Sequence, residues 1–155
     1  MMFLTHLIGG IFSAVYFGSF LGISNDSNQM VIAIMVAAVF ALLPDIDMVK
    51  SKLGRKLQPF STLAAFVFRH RGFLHSFVFA VAVYFLVRYL FSSTIAAAAA
   101  IGYSSHLLLD MATKEGIMPL SPLSKMKIRG FVRTGGILEK ATTVALFVLI
   151  ILRLV

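Results

Sequence analysis

The chain reads His70-Arg71-Gly72-Phe73-Leu74-His75-Ser76 directly before a long apolar run, Phe77 to Phe91. Two histidines and an arginine therefore stand at the head of a segment that is apolar enough for a membrane helix. Titratable side chains are costly at the edge of a membrane span, and those that occur there mark functional sites by default. The stretch predicts a helix that begins near Gly72 and carries polar, functional residues at its start.

The composition of the whole chain is that of a membrane protein. Of its 155 residues, 59% are hydrophobic and 13% are charged, whereas soluble domains have about 45–50% apolar and about 25% charged residues. The length allows a single domain, residues 1–155. Because the chain has no cysteine, a transition-metal site would have to use histidine and carboxylate ligands.

Five apolar segments predict an all-α fold, a bundle of about five transmembrane helices. The expected helices are 4–23, 30–43, 72–91, 94–111 and 137–155, and a short interfacial helix is expected at 63–68. The second segment is shorter than the roughly 20 residues that cross a bilayer. Either it extends back into the polar turn before it, or Asp45 and Asp47 at its end lie below the headgroups.

The polar residues of these segments stand at alternating ends. They are at the start of the first, third and fifth segments and at the end of the second and fourth. Successive membrane helices run antiparallel, so all of these residues are expected at one membrane face. The set comprises His6, Asp45, Asp47, His70, His75, His106, Asp110 and Glu139.

The basic residues indicate which face carries this site. Of the 14 Lys and Arg residues, all but Arg88 and Arg153 fall on the same face as the polar set. Positive residues gather in cytoplasmic loops, so the N-terminus and the site are expected on the cytoplasmic side. This topology explains the net charge of +8 without a nucleic-acid partner.

The spacing of the polar residues is typical of metal ligands. His106 and Asp110 are four residues apart and share one face of a helix. Asp45 and Asp47 follow a proline, and such close carboxylates repel each other unless a cation or proton lies between them. Nitrogen and oxygen ligands without sulfur favour zinc, with manganese as the alternative. We expect one to three divalent ions.

The expected roles describe a hydrolytic centre. The metal ligands would be His6, Asp45, Asp47, His70, His75, His106 and Asp110, with Glu139 as an eighth candidate. Asp47, His75 and Arg71 are the expected catalytic residues, and Arg71 would bind a phosphate group beside the positive helix ends. A bound metal would activate water. The predicted substrate is a phospholipid or another membrane phosphate ester.

Short motifs along nearly the whole chain resemble one family. They are His6, Leu42–Asp47, Lys50-Ser51, Leu53-Gly54, His70–Phe73, His75-Ser76, Gly102-Tyr103, Ser105-His106 and Asp110, with weaker matches at Thr113, Gly116 and Leu138-Glu139. In these motifs the chain resembles the YdjM-type family of LexA-regulated bacterial inner-membrane proteins. The resemblance implies a multi-pass protein of the bacterial inner membrane and metal-dependent hydrolysis.

The chain departs from this family pattern at three positions. Met48 stands where family members often have a histidine, Leu74 where they often have a threonine, and Lys114 where they often have a proline. Because the histidine replaced by Met48 is a potential ligand, the resemblance leaves the number of metal ions open.

Two other functions compete with hydrolysis. In an ion-coupled transporter the same residues would bind or relay the transported species, but polar residues should then continue across the membrane, and the central spans are almost wholly apolar. In a non-enzymatic membrane protein, a metal or ion pairs would only hold the helices together.

Overall fold

The computed structural model describes residues 1–23, 26–47 and 73–155, and for residues 46 and 47 it describes the backbone alone. This part of the chain contains five α-helices: α1 (Phe3–Phe17), α2 (Ser27–Phe40), α3 (Phe77–Leu90), α4 (Ser93–Met111) and α5 (Ile137–Leu154). The all-α prediction is confirmed. One stretch of the described residues, Ser27–Asp45, is long and apolar enough to cross a membrane, while Phe3–Phe17 and Phe77–Leu90 are shorter apolar helices.

Both ends of α2 differ from the predicted bounds, 30–43. The helix extends back into the polar turn, where the Asp26 side chain caps it by accepting a hydrogen bond from the Gln29 N–H at 3.3 Å. At the other end the chain continues into a 3-10 helix, Leu43–Asp47. Asp45 therefore follows α2 directly, in a tight turn that contains Pro44.

The helix α3 begins later than its sequence predicts. Its first residue is Phe77 and not one near Gly72, because Ser76 is the N-cap and accepts a hydrogen bond from the Phe79 N–H at 3.2 Å. The Ser76 hydroxyl also donates to the Phe73 carbonyl at 2.7 Å, which closes a turn before the helix. His75 therefore lies in this turn, and not on the helix. Gly72 and the interfacial helix expected at 63–68 lie outside the described residues.

The helix α4 is at the centre of the bundle and packs against α1, α2 and α3. Its residues are mostly small, and Ala96–Ala99 are buried. A Cβ atom on Gly102 would lie 2.2 Å from the Ala37 carbonyl oxygen, and one on Gly10 would lie 2.8 Å from the same oxygen. Glycine at these two positions lets α1 and α4 approach the backbone of α2 closely, as small residues do between membrane helices.

The outer faces of the helices are apolar. Large side chains such as Val39, Phe85, Phe147 and Leu152 are more than half exposed, whereas the interior is rich in alanine and polar residues. Extensive exposed apolar surface marks a contact with a membrane or a partner. The helix α5 packs against α1, and Tyr16 of α1 donates a hydrogen bond to the Leu149 carbonyl at 2.9 Å.

Candidate metal centre

Five of the predicted ligands meet at one end of the bundle. His6 comes from α1, Asp45 from the 3-10 turn after α2, His75 from the turn before α3, and His106 and Asp110 from α4. The three histidines are fully buried, and both aspartates are buried as well. We call these five residues the His–Asp cluster. Four separate parts of the chain thus contribute to it.

The distances within the His–Asp cluster are close to those between ligands around one ion. His106 Nε2 lies 3.6 Å from Asp110 Oδ2 and 3.9 Å from Asp45 Oδ1. His75 Nε2 lies 3.9 Å from each of these two oxygens. Such separations are too long for hydrogen bonds. Atoms bonded at about 2.1 Å to one tetrahedral ion, however, lie about 3.4 Å apart.

Two overlapping groups satisfy the spacing of a metal site. One comprises His6, Asp45 and His106, and the other comprises His75, His106 and Asp110; in each group the donor atoms lie within 4.8 Å of one another. His106 belongs to both groups. The described residues could therefore hold a metal ion, at one position or at two adjacent ones.

A backbone contact fixes the orientation of the His106 ring. Its Nδ1 lies 2.7 Å from the Ala41 carbonyl oxygen. A carbonyl oxygen can only accept, so Nδ1 carries the hydrogen and donates it. In the neutral ring Nε2 then carries the lone pair, and it is this atom that faces the two aspartates. Metal-binding histidines are commonly oriented in this way by a hydrogen bond from their second nitrogen.

His6 lies against His106 in a stack. The two ring centroids are 3.7 Å apart and the planes differ by 13°. Within the described part of the chain, neither nitrogen of His6 makes a hydrogen bond, although Nε2 lies 3.4 Å from Asp110 Oδ1. A buried polar atom without a hydrogen bond is unfavourable by about 1–3 kcal/mol. A bound cation would remove this cost, so the donor set fits a metal.

The two oxygens of Asp110 face different neighbours. Oδ1 accepts a hydrogen bond from the Met1 nitrogen at 2.6 Å and lies beside His6. Oδ2 faces His75 and His106. One carboxylate therefore connects α1 with the two histidines that come from α4 and from the turn before α3.

Glu139, the eighth candidate, lies in a different cluster. It is fully buried, but it is in neither group with the spacing of a metal site. Its Oε1 accepts hydrogen bonds from the Met2 N–H at 2.5 Å and from the Thr5 hydroxyl at 3.0 Å, and its Oε2 accepts one from the Gly135 N–H at 2.6 Å. The hydroxyl oxygens of Thr143 and Thr5 lie 2.9 Å apart and share a hydrogen bond. We call Glu139, Thr5 and Thr143 the Glu139 cluster.

Three further candidates are not placed. His70 and Arg71 lie outside the described residues, and the side chain of Asp47 is also outside them. Their predicted roles as ligands and catalytic residues stay predictions.

Two contributors to the site were missed by reasoning from sequence. One is the Ala41 carbonyl, a backbone group that no residue pattern marks. The other is Tyr103, a fully buried residue whose hydroxyl donates to the Leu74 carbonyl and so holds the turn that carries His75. A tyrosine three residues before a histidine on a small-residue helix is the signal that could have indicated it.

The fold and the cluster define a class of protein: an all-α protein with a buried group of histidines and aspartates that could hold a metal ion. Its family is shown by comparison with known sequences. The chain belongs to the YdjM inner membrane protein family, which matches residues 1–155. This confirms the resemblance seen in the motifs.

Two kinds of relatives illustrate the family. The chain is 35% identical over 138 residues to the uncharacterized protein YvsG of Bacillus subtilis (strain 168). That match covers 88% of this chain and 83% of YvsG. It is 39% identical over 120 residues to the inner membrane protein YdjM of Escherichia coli (strain K12), and equally to that of Shigella flexneri. Those matches cover 72% of this chain and 61% of each relative. No solved structure matches the chain.

Proposed function

We propose that this protein is a membrane-embedded, metal-dependent hydrolase that acts on a phospholipid or another membrane phosphate ester. The observation that carries the proposal is the His–Asp cluster, in which buried nitrogen and oxygen atoms lie at ligand separations and His106 is oriented by a backbone carbonyl. Pure nitrogen and oxygen sets of this kind favour zinc, with manganese as the alternative. The ligands would hold one ion, or two adjacent ions of which only one binds Nε2 of His106.

The proposed setting is a bundle of five membrane-spanning helices with the His–Asp cluster at the cytoplasmic leaflet and the N-terminus inside. The apolar outer faces and the family support a membrane location. The 15 residues of α1 rise about 22 Å, which is less than the roughly 30 Å of the hydrocarbon core. Because α1 is this short, its polar start would lie near the depth of the ester and phosphate groups of lipids.

The chain's own residues would divide the work. A metal in the His–Asp cluster would supply an activated water and stabilise the leaving oxygen. Asp45, the most exposed member of the cluster at 8%, would bind the metal, and Asp47 keeps its predicted catalytic role. His106 would bind the ion through Nε2, because its Nδ1 hydrogen is donated to the Ala41 carbonyl. Arg71 keeps its predicted role of binding the phosphate.

Metal analysis of the purified protein tests the first part of this proposal. We expect about one or two zinc or manganese ions per chain, and their loss in Asp110→Ala. The matched control is Asp26→Asn, which changes an exposed carboxylate at the start of α2 while keeping a good N-cap. It should keep the metal. Clearly less than one ion per chain, with no difference between the two variants, would contradict a metal centre.

The second part is tested by incubating the metal-loaded protein with vesicles of bacterial phospholipids and following the release of phosphate-containing products. Hydrolysis that is lost in Asp110→Ala and kept in Asp26→Asn is the expected result. A metal-loaded protein that hydrolyses none of the lipids would contradict the proposed substrate class.

A non-enzymatic role is the second candidate, and one observation favours it. The five residues of the His–Asp cluster come from four separate parts of the chain, so a bound ion would also hold the bundle together. In that case Asp110→Ala would lower the stability of the fold, and neither the variant nor the unmodified protein would hydrolyse lipid.

A further inference from the structure

The loop between α4 and α5, residues 113–136, is folded on itself by backbone hydrogen bonds. Ile117 and Ile128 exchange two backbone hydrogen bonds, of 3.1 and 2.9 Å. The Gly130 N–H donates to the Thr113 carbonyl at 2.9 Å, and the Val132 N–H donates to the Ala112 carbonyl at 3.0 Å. Ile117 and Val132 are buried. We call this segment the 113–136 loop.

The 113–136 loop is fastened to the end of the bundle that holds the His–Asp cluster. Thr113 donates its hydroxyl to the Asp110 carbonyl at 2.7 Å and accepts a hydrogen bond from the Gly116 N–H at 3.2 Å. The Phe77 N–H, at the start of α3, donates to the Pro119 carbonyl at 2.8 Å. The loop therefore joins the end of α4 to the starts of α3 and α5.

This loop leaves large apolar side chains on its surface. Leu123 is 81% exposed, Phe131 75% and Met126 58%. The exposed apolar surface continues into the start of α5, where Ile137 is 85% exposed. Exposed apolar surface of this kind marks a contact.

Basic residues surround the apolar ones. The exposed cations of the loop are Lys114, Lys125, Lys127, Arg129 and Arg133. The exposed acid is Glu115, which accepts a hydrogen bond from the Thr134 hydroxyl at 3.0 Å. The loop thus has a strong excess of positive charge and fits an anionic partner.

The two kinds of residue share one face at the end of the loop. From residue 127 to residue 133 exposed side chains alternate with less exposed ones, the pattern of an extended chain with one face outward. Ile128 and Val132 face inward and make the backbone pairs described above. Phe131 therefore stands on the outer face, between Arg129 and Arg133.

We propose that the 113–136 loop docks on the anionic lipid surface of the membrane in which the protein resides. Leu123, Met126 and Phe131 enter the boundary between headgroups and acyl chains. The basic side chains beside them bind lipid phosphates. Interleaved cationic and apolar residues are the features by which segments bind anionic membranes. The proposal rests on the membrane location and is independent of any hydrolysis.

The sequence offers a direct test because the chain contains no tryptophan. Phe131→Trp gives a single fluorescent reporter on the outer face of the loop. The protein is reconstituted in nanodiscs of zwitterionic lipid alone or of zwitterionic and anionic phosphatidylglycerol lipid, with a bromine quencher at a shallow acyl position. We expect blue-shifted emission and strong bromine quenching in the anionic nanodiscs, and weaker quenching in the zwitterionic ones.

Salt dependence sharpens this result. The quenching of Phe131→Trp in anionic nanodiscs should fall as salt rises, because the screening length drops from about 30 Å at 0.01 M to about 3 Å at 1 M. Adding Arg129→Gln and Arg133→Gln should remove most of this dependence. The control is Arg153→Gln, at the opposite end of α5, which should leave the quenching unchanged.

A second reporter distinguishes failure of the proposal from failure of the membrane placement. Phe147→Trp lies in the middle of α5, where the side chain is 53% exposed, and it should be quenched in both lipids at every salt concentration. Quenching at Phe147 with water-like emission at Phe131 in anionic nanodiscs would overturn the proposal. That outcome would indicate an acidic protein or a nucleic acid as the partner of the loop. Equal quenching of Phe131→Trp in both lipids would overturn the role of the cations.

Discussion

Thr5 and His6 are neighbours on α1, yet they belong to two buried polar clusters of opposite kind. In the Glu139 cluster, both carboxylate oxygens accept hydrogen bonds from backbone N–H groups, and Thr5 donates a further one. In the His–Asp cluster, the nitrogens of His6 and Nε2 of His106 make no hydrogen bond within the described residues. The two clusters are buried to a similar depth, so burial alone does not separate them.

The difference teaches how to recognise a site among buried polar groups. Buried polar atoms are normally satisfied by hydrogen bonds, and the Glu139 cluster follows that rule; its partners join the starts of α1 and α5. In the His–Asp cluster, the nitrogens of His6 and Nε2 of His106 depart from the rule, and they lie 3.4–3.9 Å from the aspartate oxygens. We expect mutations in the first cluster to change stability and mutations in the second to change metal binding.

The largest effect is expected for His106→Ala. This residue belongs to both groups with metal-site spacing, so its removal should lower metal affinity by more than about 100-fold, beyond what the loss of an outer-shell partner costs. Metal content after gel filtration and competition with a chelator measure the change. Glu139→Gln is the control and should retain its metal. Equal loss of metal in both variants would remove the distinction between the clusters.

Glu139→Leu should have the next largest effect, and it should fall on stability. The substitution leaves the N–H groups of Met2 and Gly135 and the hydroxyl of Thr5 without their acceptor. Each buried unsatisfied group costs about 1–3 kcal/mol, so we expect a loss of about 3 kcal/mol in the free energy of unfolding. Unfolding in mixed micelles measures it.

The conservative variant Glu139→Gln serves as the reference for this stability measurement. It keeps an acceptor oxygen and the side-chain length, and it should lose much less stability than Glu139→Leu. At saturating metal, the folded fraction of both variants should bind as much zinc as the unmodified protein. A reduced metal stoichiometry in folded Glu139→Leu would show that Glu139 acts on the His–Asp cluster after all.

The sequence alone predicted much of this arrangement, for reasons that can be stated physically. Apolar run lengths indicated five helices, and the alternation of polar ends indicated that His6, Asp45, His75, His106 and Asp110 would lie at the same end. The alternation of polar residues between helix starts and helix ends indicates at which end of the bundle a residue lies. It does not indicate which neighbouring helix the side chain faces. It therefore could not separate Glu139, which faces Thr5 and the backbone of Met2.

Other features were not predicted. The start of α3 was placed near Gly72 because the apolar run was extended back over Phe73 and Leu74, whereas Ser76 caps the helix and leaves His75 in the preceding turn. The contact of His106 with the Ala41 carbonyl depends on how closely α2 and α4 approach. That approach is set by Gly102, a residue whose role appears only when the backbone of α2 is seen beside it.

Gly102→Ala should have an intermediate effect and should act on the His–Asp cluster from a distance. Its new Cβ atom would lie 2.2 Å from the backbone oxygen of Ala37, so α2 and α4 must separate. Overpacking of this kind costs about 1–3 kcal/mol. The separation also moves the Ala41 carbonyl away from His106, and we expect metal affinity to fall about 10-fold, as for the loss of an outer-shell partner.

Gly9→Ala is the matched control for Gly102→Ala. A Cβ atom there would first meet the Cδ1 atom of Leu109, the end of a flexible side chain. It should cost less stability and leave metal affinity unchanged. If both glycine variants lower metal affinity equally, general loosening of the bundle, and not the contact between Ala41 and His106, would be responsible.

Thr5→Val should have the smallest effect and gives the sharpest test of the comparison. The substitution keeps the shape of the side chain but removes hydrogen bonds of 3.0 Å to Glu139 and 2.9 Å to Thr143. We expect a loss of about 1 kcal/mol in the free energy of unfolding. Metal affinity should not change, although the next residue is His6.

Isothermal titration with zinc measures the affinity, and His6→Asn is the contrasting variant. We expect His6→Asn to bind zinc about 10-fold or more weakly. In the absence of metal, its free energy of unfolding should change little. If Thr5→Val weakens zinc binding as much as His6→Asn does, the two clusters act as one unit through α1.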